Sequence, residues 1–336
     1  MNATNLIAEW DAAIAPDEPH KLERRLHWDG MDQTTFGHWL KTGGSSTDLH
    51  AEQCAAALET CKGALQARWD LPLVPYEATT QRAFQDIWWP LRLEMESWLS
   101  HQLGSSALID GAIYGSLAES LLDRLCSTTE PALWHCFSSG RGPGAMLLAH
   151  LGTSRDGSGP PVRELYEQFV QQHRRDGLAS VLEHYPVLGN LIGVVLNLWQ
   201  IATVEMLTRI ENDRAALEQT FAIPQNARLT GIKQGLSDPH RGGRAVAILS
   251  FAGSPNEARS KVVYKPKDMG VDAAYQALLS DLNSNSVLAP LRTLAIQTGD
   301  GYGYMEMVEH QLCDNEHDLE KFYTNAGRLT AILHLL

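Results

Sequence analysis

The sequence is short of positive charge: 27 lysines and arginines stand against 40 aspartates and glutamates, a formal net charge of -13. A duplex-binding protein needs a concentrated basic footprint. None is gathered here, so nucleic acid is not an expected partner. Paired cysteines are also lacking. Cys54, Cys61, Cys126, Cys136 and Cys313 form no CxxC and no even framework. Free thiols in a reducing compartment are expected, with neither disulfides nor a zinc or other metal site. The N-terminus, MNATNLIAEWDAAIAPDE, has no basic start and no long apolar run. That excludes a secretory signal and points to the cytoplasm. Between His184 and Glu205 charge is absent altogether. The stretch has the length of a membrane span, but Asn190, Asn197 and Gln200 interrupt it and no basic cluster flanks it. A buried core helix is the expectation, with Gly189 and Gly193 as a small-xxx-small pair.

What is present reads as an ordinary globular chain, 44% hydrophobic and 20% charged over 336 residues, long enough for two domains. Apolar residues at three- and four-residue spacing, such as Leu22 and Leu26 or Ala55, Leu58 and Leu65, predict helices through the first 225 residues. Loop signals fall at Thr42–Thr47, Ser138–Gly144 and Thr153–Pro161. The run SSGRGPG could cradle an anion through backbone N–H groups or be a simple turn; it lacks the Lys-Ser/Thr of a P-loop.

The texture changes near Pro224. Candidate strands rich in Val, Ile and Thr follow at Arg228–Gly235, Arg244–Phe251 and Lys261–Pro266. A helix over Val271–Leu282 and a strand pair over Leu291–Gln297 and Tyr302–His310 come next. From Glu316 to Leu336 one apolar stripe predicts an amphipathic helix that ends without a cap. The expected class is therefore α+β. Residues 1–225 would form a helical region, 226–312 a small β lobe, and 313–336 the start of a further lobe.

The order of these parts is that of a kinase small lobe. The loop Leu236–Arg244 holds Gly242 and Gly243, whose backbone amides could close over polyphosphate. In the third strand, alternation puts Val263 and Lys265 on one face and Tyr264 on the other. A strand lysine in this position pairs with nucleotide phosphates in protein kinases. On the residues alone, the glycine pair could equally be a hairpin turn and Lys265 a solvated edge residue. The helix after the strand shows no Glu to pair with Lys265, and Asp281 is the acidic residue of its second half.

The segments GLSDPHRGGRAVAIL, KVVYKPKDM, GYGYMEMVEH and FYTNAGRLTAILHLL resemble the dehydratase domain of class II lanthipeptide synthetases. So do ERRLHWDGMD at Glu23–Asp32 and Tyr185–Leu188 with Trp199 and Glu205. The resemblance implies an enzyme that uses ATP and Mg²⁺ to phosphorylate Ser and Thr of a ribosomal precursor peptide, leader and core. It then eliminates phosphate to leave dehydroamino acids. It implies Lys265 as the phosphate lysine, and Asp238 and His240 as residues of phosphate handling or elimination. Gly242, Gly243 and Arg244 would lie over the phosphates, with Met307 and Glu309 on the edge beside adenine. The family's catalytic loop and zinc cyclase lie beyond Leu336, so the chain is expected to be inactive alone and to contain no zinc. The alternative is a non-catalytic adaptor that binds precursor peptide or a partner synthetase. A conventional protein kinase lobe is a third reading, opposed by the missing Glu.

Overall fold

The computed structural model describes residues 3–14, 20–28, 30–41, 49–75, 82–104, 106, 108–139, 160–238, 242–253, 260–285 and 290–335. Of the loops expected at 42–47, 138–144 and 153–161, residues 42–47, 140–144 and 153–159 lie outside these, as does His240, whereas 138–139 and 160–161 belong to helices. The architecture is α+β, mostly helical with one antiparallel sheet. Two compact units divide it. One comprises Met1–Ser105, Gly111–Leu207 and Arg241–Gly243; the other comprises Ser106–Asp110, Thr208–His240 and Arg244–Leu336.

The first unit is helical, with α1 (Ala3–Ile14), α2 (Lys21–Trp28), α3 (Gln33–Lys41), α4 (Leu49–Ala67), α5 (Gln85–Leu103), α6 (Ala112–Ser139), α7 (Pro160–Arg175) and α8 (Ala179–His184). Helix α9 (Pro186–Asn212) begins in it. Asp32 caps α3 by accepting the Thr35 amide at 2.6 Å, and that bond holds its carboxyl below the usual range. Leu22, Leu26, Phe36 and Leu40 bury together as a small core. The larger core forms where Trp88, Leu91, Met95 and Leu99 of α5 and Leu117, Leu121 and Leu125 of α6 are all removed from solvent. Within it the Trp88 indole donates to Thr129 at 3.0 Å, so its one polar atom is satisfied.

Helix α9 is long and apolar enough to cross a membrane, by length and composition only. Its glycines are used for packing inside the unit. A Cβ on Gly193 would collide with the Cys54 carbonyl of α4, and one on Gly189 would press on Leu58 at 3.3 Å. The four-residue spacing of Gly189 and Gly193 thus matches Cys54 and Leu58, one turn apart on α4. Ile192, Leu196 and Trp199 are buried, whereas Leu191 and Ile201 are exposed. The helix is less deeply buried than its uncharged sequence predicts, because one face of it is covered and another is not.

The second unit holds a five-stranded sheet of order β1-β2-β3-β5-β4: β1 (Arg228–Lys233), β2 (Ala247–Ala252), β3 (Ser260–Lys265), β4 (Ile296–Thr298) and β5 (Gly303–Glu306). Strand β2 alternates as its sequence predicts, with Ala247, Leu249 and Phe251 buried and Ile248 and Ser250 half-buried. Central β3 buries Val262, Val263 and Tyr264 in succession. Helix α10 (Arg214–Phe221) precedes the sheet, and α11 (Gly270–Asn285) joins β3 to β4.

The last two strands are shorter than expected. Just before β4, Leu291 exchanges bonds with the Asn283 side chain at 2.7 and 2.8 Å, and the Leu294 amide goes to the Gln276 side chain at 2.8 Å. An apolar sequence suited to a strand is therefore tied to α11 instead of extending β4. Helix α12 (Glu316–Leu335) starts at an Asn315 cap, its side-chain oxygen accepting the Asp318 amide at 3.0 Å. Its Leu319, Phe322, Tyr323 and Leu333 are exposed.

Candidate functional site

Pairing fixes which side chains share a face of the sheet. Val263 lies opposite Ile248 and Met305, and Lys265 lies opposite Gly303. In an antiparallel pair, opposed residues point the same way. Ile248, Val263, Met305 and Lys265 therefore share one face, as alternation predicts for Val263 and Lys265. Ile248, Met305 and Lys265 are only half-buried there. The result is an apolar platform with an ammonium at its end.

That ammonium is loosely held. Lys265 Nζ lies 3.7 Å from Met305 Sδ and 3.8 Å from Asp272 Oδ1, while 21% of its side chain remains exposed. Neither contact is a strong hydrogen bond, so the three donors of the Lys265 ammonium are under-used. The Asp272 carboxylate is bound more closely by Lys267, at 2.9 Å.

The helix after β3 offers Lys265 no Glu, as its sequence reads, but Asp272 lies 3.8 Å from the ammonium. It stands in the first turn of α11, not in the second half, and the tight connection after β3 carries it back to Lys265. Asp268 accepts the Gly270 amide at 2.7 Å in that turn. Met269, fully buried, lies over Gly303, where a Cβ would approach its Cγ at 2.7 Å. The absent side chain at Gly303 is what lets the helix start so near the strand lysine. KPKDMGVD carries this arrangement, but only with the packing of Met269 on Gly303 known.

On the opposite face, Tyr264, Tyr302 and Tyr304 cluster with ring centroids 5.6 to 6.2 Å apart. Asp213 accepts the hydroxyls of Tyr302 at 2.7 Å and Tyr304 at 2.9 Å. Arg209 donates to the Tyr264 hydroxyl at 2.9 Å, with its guanidinium carbon 4.1 Å from the Tyr302 ring centroid. Burial, followed by the hydrogen bond to Asp213, pushes the Tyr302 phenol up to about 12. Burial, with the Asp213 charge next, pushes Tyr304 higher still.

The other expected site residues are placed as follows. Asp238 is exposed and makes no hydrogen bond or ion pair among the described residues. At the base of that loop the Ser237 hydroxyl accepts the Val246 amide at 3.2 Å. Gly242 and Gly243 take φ of 80° and 84°, left-handed values that suit glycine, and they group with the helical unit. Arg244 and Met307 are half-buried. Glu309 is bonded to Lys261 at 2.8 Å, which lowers its carboxyl below the usual range. Glu306 is likewise lowered, chiefly by Arg292, and also accepts the Ala295 amide at 3.2 Å. Both carboxylates are already paired with a neighbouring cation.

Among the described residues no three His, Cys, Asp or Glu side chains converge. In the helical unit a separate cavity of about 430 Å³ is lined by Phe84, Trp134, Phe137, Tyr166, Arg82 and Asp86, among others. Trp134 is 57% exposed beside it.

Residues 185–336 match the family described as Domain of unknown function (DUF4135), a domain associated with lanthipeptide synthetases. The matched segment begins just ahead of α9 and takes in the whole five-stranded sheet. Among curated proteins no match is found.

Proposed function

We propose that the sheet unit binds ATP on its Lys265 face, and that the chain serves the dehydration step of lanthipeptide biosynthesis. The observation that carries this is the under-used Lys265 ammonium at the end of a half-exposed apolar platform. A flat base suits the Ile248, Val263 and Met305 surface, and a point cation on a rigid strand suits phosphate charge. Strand order β1-β2-β3-β5-β4, a glycine-bearing β1–β2 connection, a lysine closing β3 and a helix before β4 support the reading as a kinase-like small lobe. The association of the matched domain with lanthipeptide synthetases is what favours a precursor peptide as the substrate in this reading.

In the reaction a Ser or Thr hydroxyl of the precursor peptide would take the γ-phosphoryl of ATP. A base would then remove the α-proton while phosphate leaves from the β-carbon, giving the alkene. Lys265 compensates phosphate charge in the first step. Asp238, whose carboxylate has no partner among the described residues, and His240 are assigned to the phosphate or the proton of the second. The precursor peptide would rest on the helical unit, where the cavity beside exposed Trp134 could take an apolar side chain.

Titration calorimetry with MgATP tests the nucleotide part. The intact chain should bind, and Lys265→Ala should weaken binding at least tenfold with its melting temperature little changed. Equal affinity in the two proteins would remove Lys265 from the site.

A further inference from the structure

The cavity of about 430 Å³ in the helical unit has a wall of aromatic rings. Its volume falls within the roughly 300–1,000 Å³ usual for small-molecule pockets. Helix periodicity supplies two sides of it. Trp134 and Phe137 of α6, and Arg163 and Tyr166 of α7, are pairs three residues apart, each pair on one helix face. The third side is strained. Phe84, immediately before α5, takes φ of 56° and ψ of 21°, left-handed values that make a bulky residue an outlier. Its buried ring meets those of Trp134, Phe137 and Tyr166 at centroid distances of 6.1 Å, edge-on or tilted. Strain of this kind persists only where the surroundings fix it, and it gathers at ligand clamps.

The charges in the lining are engaged, with one exception. Asp86 accepts the Val74 amide at 2.7 Å on one carboxylate oxygen and the Tyr166 hydroxyl at 2.9 Å on the other. Arg82 is paired with Glu119 at 2.9 Å and with Asp123. Arg163 is exposed and makes no hydrogen bond or ion pair among the described residues, although the chain carries a net charge of -13. Rings set edge-on and tilted receive a flat aromatic body, and a free guanidinium fork receives a carboxylate through two parallel bonds.

We propose that this cavity binds an aromatic carboxylate, with Phe84, Trp134, Phe137 and Tyr166 around the ring and Arg163 on the anion. A free acylated amino acid presents this chemistry, and so does an aromatic residue beside an acidic one in a peptide. Only the second source rests on the reading that the helical unit holds a peptide.

N-Acetyltryptophan and its uncharged amide, titrated calorimetrically into the whole chain, test the pairing of ring and anion. The acid should bind about fivefold or more tightly than the amide. Arg163→Gln should abolish that preference and leave the affinity for the amide within about twofold, whereas Trp134→Ala should weaken both ligands about fivefold. Both side chains are largely exposed, so melting temperatures should stay near that of the wild type. Should Arg163→Gln not fold, phenylglyoxal modification of the wild type replaces it, and N-acetyltryptophan should protect Arg163. A peptide with a central Trp-Glu pair, beside its Trp-Gln counterpart, separates the sources. Arg163-dependent preference for the Trp-Glu peptide supports the peptide source. Binding of the free acid alone defeats the peptide reading and leaves the aromatic-carboxylate site standing. Binding of neither, a preference that survives Arg163→Gln, or modification of Arg163 unchanged by the acid overturns the proposal.

Discussion

On one face of the five-stranded sheet, Tyr264, Tyr302 and Tyr304 direct their hydroxyls to Arg209 and Asp213, and ring packing closes the cluster. On the other, Lys265 keeps an ammonium whose nearest partners stand at 3.7 and 3.8 Å, beside buried Val263 and half-buried Ile248 and Met305. The same strands carry both faces, so β-propensity and hydrogen bonding cannot account for the contrast. Stability alone favours the first arrangement, in which every buried polar group has a partner. The second leaves a cation under-satisfied, and that is what a charged ligand requires.

The comparison breaks most visibly on Asp213. Asp213→Ala should lower unfolding free energy by roughly 2–4 kcal/mol, because two phenol hydroxyls lose their shared acceptor. Denaturant melts would measure this, and a loss under about 1 kcal/mol would mean that the tyrosine face is not the structural one. The reverse signature is expected at Lys265→Ala: a stability change within about 0.5 kcal/mol, as for a partly exposed residue, beside the loss of MgATP affinity.

Alkaline pH sharpens the contrast further. The Tyr302 phenol is raised from about 10 to about 12 in the folded chain. Its contribution is fully present below pH 10 and is lost as pH climbs towards 12. Melting temperature should therefore fall over that interval. Tyr302→Phe should make the fall shallower; an unchanged slope would show that Tyr302 is not the group responsible. The smallest effect is expected at Asp272→Asn. A half-exposed pair at 3.8 Å is worth well under 1 kcal/mol, so MgATP affinity should drop about threefold. A tenfold change by calorimetry would instead make Asp272 a principal ligand-positioning group.

Much of this was legible from the chain itself. The alternation in Ala247–Ala252 and the placement of Val263 and Lys265 opposite Tyr264 follow from a period of two. The small-xxx-small spacing of Gly189 and Gly193 announced a close helix contact, and α4 supplies it. What escaped depends on tertiary detail. Asp272 reaches Lys265 only because Met269 fits over the bare Cα of Gly303. Leu291 and Leu294 lie in a strand-like stretch but bond to Asn283 and Gln276 on a helix. The Arg209 and Asp213 partnerships arise at the corner between α9 and α10, where the local pattern says only that one helix ends and another begins.

The most direct test of the central claim is covalent labelling by an acyl-phosphate derivative of ATP, read out by peptide mass spectrometry. Such a reagent acylates an amine held beside its phosphates. Selective modification of Lys265, suppressed by free MgATP, is the predicted result. Labelling spread over exposed lysines such as Lys261 and Lys267, with Lys265 unmarked or indifferent to ATP, would contradict a nucleotide site on this face.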